Sequence, residues 1–491
     1  MNKPIIISSL LLTSVAVAHS QEKPNIVFIL ADDIGYTDFG CYGAKLISTP
    51  NIDRLATTSA RFTSAYSPAS TSSPSRYSLL TGEYGWRKGV GILPADAPLT
   101  IDIEKNNLPQ QLKSAGYKTA LVGKWHLGLG NKDKKVDFNK EIELSPNDIG
   151  FDYSYYFPAT NDRVPTVFIE NRKVLGLDGN DPITISYKNK VGTDPTGKEN
   201  PELLKLKHFK GHDGTIVNGI ARIGWMSGGQ KARWVDENMS DTLLSHALNY
   251  IDNTKKKEPF FLLYTSQNAH EPRVPSAQFR GKSRAGIYGD VIEEFDYQVG
   301  EIVAKLKAKG IFDNTIIIIT SDNGPMIKEG YEDGALENIA SHDPFGKLRG
   351  EKYSLYEGGT RVPFIVSWGK KIKKGFVQTQ NFTYLDMLAT VASITSCKPN
   401  KGSLNDSADA SKLFIDPNAP QYRDYLITQN NSGVMAVRKD GYKFISSHNK
   451  NNAELYFLTD DPNEQNNLIA DPTYNNIAKE LHTIIEKLSK K

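Results

Sequence analysis

Apolar residues fall in unbroken runs that alternate with amphipathic or polar stretches. Pro24 to Ala31 is a continuous β-branched and apolar run, the pattern of a strand buried on both faces of a parallel sheet, and it stops at Asp32-Asp33. Thr49-Pro50 opens a helix, with Thr49 as N-cap and the proline in the first turn. A helix over Leu108 to Ala115 leads to a strand over 117–123 that ends at Lys124, with His126 two residues on. Ser240 caps a helix running to Ile251, and a strand over 259–265 is followed by His270. A long amphipathic helix from Asp290 to Lys309 stops at Gly310. Thr315 to Thr320 is the strongest strand signal and ends in Ser321-Asp322-Asn323-Gly324, and one further strand spans 362–368.

Strand alternating with helix predicts an α/β fold with a mostly parallel sheet sandwiched by helices. In such sheets ligands bind beyond the carboxyl ends of the strands. Four strand ends here deliver Asp-Asp, Lys-x-His, His and Asp-Asn, and four polar deliveries to one edge read as a site. The alternation breaks over about 127–238, which is rich in Asn, Asp, Gly, Lys and Tyr and reads as an insertion of loops over that edge. Toward the C-terminus, 435–438 and 442–445 flank Asp440-Gly441, a hairpin signal, and 455–458 reads as a third strand. Ile477, Leu481, Ile484, Ile485 and Leu488 make a helical stripe for core packing. The chain therefore divides into a main α/β domain over 21–375 and a smaller α+β subdomain with an antiparallel sheet over 376–491.

Composition narrows the class. The 491 residues include 59 basic and 56 acidic side chains, a net charge of +3 that looks mixed and not patched, and nothing in it argues for nucleic acid. Residues 1–20 differ from the rest: Lys3, the apolar run from Ile5 to Leu12 and the small residues before Ser20 read as a cleavable secretory signal. This predicts an exported protein, periplasmic or extracellular in a Gram-negative bacterium. No other stretch is apolar enough to span a membrane. Cys41 and Cys397 are too few for a disulfide framework, and the sequence does not decide whether they pair.

Asp32, Asp33, Asp322 and Asn323 supply hard oxygen ligands, a set that suits Ca²⁺ or Mg²⁺ over softer metals. Ser72-Ser73-Pro74-Ser75-Arg76 reads by itself as a serine-rich turn, with Ser75 capping a helix over Arg76 to Leu80. A serine at a helix N-terminus beside a cation site and an arginine is also placed to attack an anionic ester.

Ser72-x-Pro74-Ser75-Arg76 with Thr81-Gly82 resembles the signature of type I sulfatases, members of the alkaline-phosphatase superfamily. The resemblance extends through Asp32-Asp33, Gly123-Lys124-Trp125-His126, His270-x-Pro272, Asp322-Asn323-Gly324, Lys352, and Tyr356-Glu357-Gly358-Gly359-x-Arg361. It implies an alkaline-phosphatase-like fold and hydrolysis of sulfate esters by a formylglycine made from residue 72. Many members carry cysteine there; the serine form implies a dedicated radical maturase of the bacterial kind. The resemblance also implies metal ligation by Asp32, Asp33, Ser72, Asp322 and Asn323, with Ca²⁺ favoured over Mg²⁺. Arg76 would hold the nucleophile, Lys124 and Lys352 the sulfate oxygens, and His126 and His270 would serve as base and acid.

Within the insertion, Tyr153 to Phe157 offers rings to a sugar, and Asp162, Arg163 and His212, joined by His342, are candidate sugar-binding residues. Each read singly is equally well explained as core or loop stabiliser. A sulfated glycan, with galactose or N-acetylgalactosamine sulfate cut exolytically, is the expected substrate. Two alternatives stay open: a phosphodiesterase or phosphonate hydrolase of the same superfamily, and a non-catalytic glycan binder if Ser72 is not matured.

Overall fold

The computed structural model describes residues 23–209, 211–397, 406–446 and 452–489. The expected export signal over 1–20 lies outside the described residues. Ten strands among the described residues form one sheet. In chain order they are β1 (Asn25–Ala31), β2 (Ala60–Phe62), β3 (Lys118–Lys124), β4 (Tyr153–Phe157), β5 (Ile169–Glu170), β6 (Lys173–Val174), β7 (Phe260–Thr265), β8 (Thr315–Ser321), β9 (Phe364–Ser367) and β10 (Phe376–Gln378). They lie side by side as β10-β2-β9-β8-β1-β7-β3-β4-β5-β6. The five central strands, β8 through β4, are parallel. β9 runs antiparallel to both β8 and β2, so the sheet is mixed toward that edge.

The unbroken apolar runs follow from burial on both faces. Ile26, Phe28 and Leu30 of β1 face one helical layer: α2 (Ser72–Thr81), α3 (Leu108–Ser114) and α6 (Met387–Thr395). Val27 and Ile29 face the other, formed by α1 (Pro50–Ala56), α4 (Met239–Asn253) and α5 (Gly286–Ala308). With a side-chain period of two, only a strand apolar at every position fills both layers.

Three caps differ from the sequence reading. Thr49 precedes α1 but makes no side-chain cap; its hydroxyl accepts from the Gly40 amide at 2.8 Å and donates to Asp53 at 3.1 Å. The Ser240 hydroxyl lies inside α4 and donates to Glu294 at 2.8 Å. α2 starts at Ser72, and Ser75 donates to the Ala69 carbonyl at 2.9 Å, so it caps nothing.

The C-terminal region forms a four-stranded antiparallel sheet: β11 (Leu426–Gln429), β12 (Met435–Lys439), β13 (Tyr442–Ile445) and β14 (Glu454–Phe457). The sequence pattern showed three of these and missed β11, which lies at the sheet edge. Leu481 and Ile485 of α7 (Asn475–Ser489) pack on Val437 and Phe444, so the helical stripe is core. Cys41 and Cys397 are not joined to each other in a disulfide. No described helix is long and apolar enough to cross a membrane.

A buried charge network ties the four-stranded sheet to the segments carrying Glu357 and Tyr66. Glu357 accepts from Arg438 at 2.7 Å, Lys443 at 3.1 Å and Tyr66 at 2.9 Å, while Lys443 also pairs with Glu464 at 2.6 Å. Burial pushes Glu357 up, but Arg438 and Lys443 outweigh it and hold the carboxyl well below the usual range. Glu357→Gln leaves two buried cations facing a neutral amide, and is expected to cost about 3–5 kcal/mol. Urea denaturation of the variant reads this loss; a change no larger than a surface substitution gives, about 0.5 kcal/mol, would contradict it.

Candidate active site

β8, β1, β7 and β3 are neighbours and parallel, so their carboxyl ends meet at one edge. Asp32-Asp33 follows β1, Asp322-Asn323 follows β8, Lys124 ends β3, and His270 lies in the loop after β7. Gly123 makes the crowding there possible: its φ is 121°, and a Cβ would stand 1.8 Å from the Thr265 carbonyl. Asp33 and His126 both hold left-handed backbone, at φ 57° and 58°. Non-glycine residues take that conformation at a cost, and it gathers where side chains must be aimed.

Oxygens of Asp32, Asp33 and Asp322 lie within 4.8 Å of one another, and all three residues are buried. Asn323 donates its amide to Asp33 at 2.6 Å, which turns its oxygen toward Ser72 Oγ at 3.4 Å. Three buried carboxylates and an amide oxygen fit a hard divalent cation. Side-chain cations share the neutralisation: Lys124 pairs with Asp32 at 2.6 Å, Arg76 with Asp322 at 2.7 Å and Lys352 with Asp33 at 2.8 Å. Burial, then the charge of Asp322, pushes the Asp32 carboxyl up against the pull of Lys124. For Asp322, burial is outweighed by Arg76 and Lys124, and its carboxyl is held far below the usual range.

Ser72 is the first residue of the ten-residue α2, where unsatisfied amides and the helix dipole favour negative charge. Its Oγ accepts from Lys124 Nζ at 3.0 Å and lies 3.4 Å from Asp32. Just upstream, residues 68–70 are held by β11: Ser70 N–H donates to the Gln429 carbonyl at 2.9 Å, and Gln429 N–H to the Pro68 carbonyl at 3.0 Å.

The two histidines differ in proton placement. His126 Nε2 lies 2.9 Å from the Leu93 carbonyl and must donate to it, which leaves Nδ1 with its lone pair, buried and without a hydrogen-bond partner among the described residues. Burial first, then Lys124, Arg163 and Arg76, hold this imidazole well below the ordinary histidine range. A neutral ring with an open nitrogen is a base. His270 donates Nδ1–H to the Glu271 carbonyl at 2.6 Å. Its Nε2 stands 4.0 Å from Asp33 and 3.8 Å from Glu329. Two carboxylates thus face the ring nitrogen that the Nδ1 bond leaves open.

A cleft of about 850 Å³ opens beside this cluster, lined among others by Asp162, Arg163, His212, Glu329, Lys352 and Tyr353. His212 faces the Phe209 carbonyl with Nδ1 at 3.0 Å and Asp162 with Nε2 at 3.1 Å. Both nitrogens face acceptors; burial lowers the ring's pKa, and Asp162 outweighs burial and raises it. Arg163 pairs with Asp162 at 3.1 Å. The insertion thus brings Asp162, Arg163 and His212 to the cleft, together with Lys352.

Two expectations fall elsewhere. His342 donates to Asp38 at 2.7 Å beneath Tyr288 and is not among the cleft-lining residues. Tyr153 to Phe157 is sheet strand β4, with Tyr155, Tyr156 and Phe157 buried, so those rings are core and not sugar platforms. Sequence reasoning missed Glu329, which accepts from Lys352 at 2.9 Å and from the Tyr353 hydroxyl. It sits in the irregular loop after Asp322-Asn323, where no periodic signal singles out one acid.

The chain matches the family described as Sulfatase over residues 24–396, and that described as N-sulphoglucosamine sulphohydrolase, C-terminal, over 350–491. It is 44% identical over 484 residues to the N-acetylgalactosamine-6-O-sulfatase of Bacteroides thetaiotaomicron, covering 96% of this chain and 94% of that protein. Human arylsulfatase A is 30% identical over 497 residues, covering 94% and 86% of the two chains. A solved structure from work on the metabolism of multiple glycosaminoglycans by Bacteroides thetaiotaomicron superposes with a TM-score of 0.92 at 44% identity, over 96% of this chain and 100% of that one. Agreement of this extent takes in every strand end that carries the site, and it makes the chain a member of the sulfatase family, a sulfuric ester hydrolase.

Proposed function

We propose that this sulfatase is exported, is matured at Ser72 to formylglycine by a serine-type radical maturase, binds Ca²⁺, and removes the 6-O-sulfate from N-acetylgalactosamine units of a glycan. The observation that carries the substrate is the group Asp162, Arg163 and His212, which lines the cleft together with Lys352. A charged and hydrogen-bonding wall of this kind suits sugar hydroxyls and an acetamide better than an aryl ring. The N-acetylgalactosamine-6-O-sulfatase that is 44% identical along nearly the whole chain supports the same reading.

Hydrated formylglycine supplies two hydroxyls on one carbon, so that sulfate taken up through one oxygen is expelled when the other yields its proton. A divalent cation among Asp32, Asp33, Asp322 and Asn323 supplies positive charge beside position 72. Lys124 holds the oxygen of residue 72, and with Lys352 it holds sulfate oxygens as charge grows on them. Arg76 fixes Asp322 through Nε at 3.0 Å and Nη2 at 2.7 Å. His126 Nδ1 accepts the proton that drives sulfate out, and His270 Nε2 delivers one to the departing sugar oxygen.

The test is expression with a serine-type maturase, followed by the mass of the Ser72 peptide and an assay of sulfate release. The peptide is expected to be lighter by two hydrogens. N-acetylgalactosamine 6-sulfate is expected to react about 10²-fold faster than the 4-sulfate or glucosamine 6-sulfate, because misplaced hydroxyls leave buried polar groups unpaired. Turnover of phosphate esters alone would overturn the reading. Binding without conversion of Ser72, under a maturase that works on a control protein, would make the chain a glycan binder.

A further inference from the structure

The cleft reaches past the sulfate-binding lysines. Its volume of about 850 Å³ is several times that of one pyranose ring, so a single sulfated sugar leaves much of it empty. Tyr353 faces that remaining space. The residue is 37% exposed, unusual for a large apolar group among the described residues, and it lines the cleft directly after Lys352 in sequence. Its backbone φ is 76°, a left-handed conformation that a bulky residue adopts only under constraint. Two bonds impose it: Tyr353 N–H donates to the Ser70 carbonyl at 2.9 Å, and its hydroxyl donates to Glu329. Glycine or asparagine would meet that backbone with less strain. The fold therefore sustains a strained residue whose distinguishing feature is an exposed flat ring. Lys352 Nζ stands over the ring, 5.5 Å from its centroid, so the ring lies within one sugar's reach of that ammonium.

We propose that Tyr353 is the platform for the sugar adjoining the sulfated one, so that the preferred substrate is an oligosaccharide and not the free sulfated monosaccharide; this rests on the reading of the cleft as a sulfated-sugar site. A pyranose presents a face of C–H groups that packs on an aromatic ring, and its hydroxyls remain free to meet the polar rim. Tyr353 would act through contact with substrate, and its hydroxyl bond to Glu329 would fix the tilt of the ring.

The experiment compares kcat/KM of the matured, Ca²⁺-loaded enzyme on free N-acetylgalactosamine 6-sulfate and on two disaccharides. One disaccharide carries the neighbouring sugar on the anomeric carbon of the sulfated unit, and the other carries it on a ring hydroxyl. Wild type is expected to prefer one disaccharide over the monosaccharide by roughly 3- to 10-fold. Tyr353→Asn, which tolerates the left-handed backbone, is expected to bring that ratio to about one, and Tyr353→Phe to keep it. Equal loss on monosaccharide and disaccharide in Tyr353→Asn would overturn the proposal and make Tyr353 a support for Glu329 and Lys352. So would a wild type with no disaccharide preference. No turnover of any of the three sugars by protein with a converted Ser72 would remove the reading of the cleft itself, and this proposal with it.

Discussion

Replacing Ser72 with alanine is expected to lower sulfate release by about 10⁵- to 10⁶-fold, the scale on which removal of a nucleophile acts. The surrounding groups lose their purpose together. Lys124 Nζ then has no oxygen at 3.0 Å to hold, and His126 Nδ1 has no proton to receive. What remains is binding, and binding that does not strengthen in the transition state does not accelerate the chemistry. Unmatured wild type separates the nucleophile from the modification. Its Ser72 oxygen can form a bond to sulfur while the sugar oxygen leaves with a proton. The serine sulfate ester so formed has no second hydroxyl from which sulfate can be expelled. The expected result is therefore at most one sugar released per protein, no free sulfate, and a Ser72 peptide heavier by one sulfuryl group. Multiple turnover by Ser72→Ala, or by protein whose Ser72 peptide is shown unconverted, would contradict this account of the nucleophile.

The parts of this site that the sequence discloses are those held by regular structure. Asp32, Lys124 and Asp322 stand at the ends of apolar strands, and a strand end at a parallel sheet edge has one place to go. Ser72 was legible through the Ser72-x-Pro74-Ser75-Arg76 signature and not through helix spacing, since the sequence pattern starts the helix only at Arg76; in the structure α2 starts at Ser72 and brings Arg76 onto Asp322 while Ser72 meets Lys124. Loop residues have no such constraint. Asp162 and His212 are 50 positions apart with no periodic relation, and their contact depends on how the insertion folds. His342 looks in sequence like any other histidine near Lys352, yet Asp38 claims it from 304 residues away. Glu329 and Tyr353 went unremarked because one acid or one tyrosine in a loop is ordinary until the fold sets them against Lys352 and the cleft.

The C-terminal antiparallel sheet discloses three of its four strands in sequence, but what it holds at the active edge is plain only in the structure. Lys352 sits on a loop whose ends are tied by the Gly358 N–H donating to the Arg349 carbonyl at 2.8 Å. Arg349 bonds the Tyr456 hydroxyl at 3.0 Å and the Glu464 carbonyl at 2.8 Å, and Glu357 is anchored on Arg438. The same sheet holds residues 68–70 through Gln429. One element thus braces the segment leading to Ser72 and the loop carrying Lys352, which gives a small antiparallel sheet a reason to sit beside this edge.

Lys124→Met is expected to reduce kcat/KM by about 10³-fold, the upper range for loss of one preorganised donor at a developing charge. Lys124 is fully buried, and its ammonium bonds both Ser72 and Asp32, so no other side chain can replace it without moving the strand end. Burial pulls its pKa down, and Asp32 is the main charge that opposes this. Methionine keeps the stem and removes only the charge. The same change should act oppositely on the cation. An ammonium 2.6 Å from Asp32 competes with a divalent ion for that carboxylate, and removing it takes away a like-charge repulsion. The variant is therefore expected to bind Ca²⁺ about 10-fold more tightly while turning over far less, a shift of about 1.4 kcal/mol in binding. Thermal unfolding across a Ca²⁺ titration reads the affinity, and sulfate release reads the rate. Weaker Ca²⁺ binding together with lost activity would mean that Lys124 orients the carboxylates for the cation instead of competing with it, and its role as a sulfate donor would need to be separated from that effect by Lys352→Met, which leaves the Lys124 bonds in place.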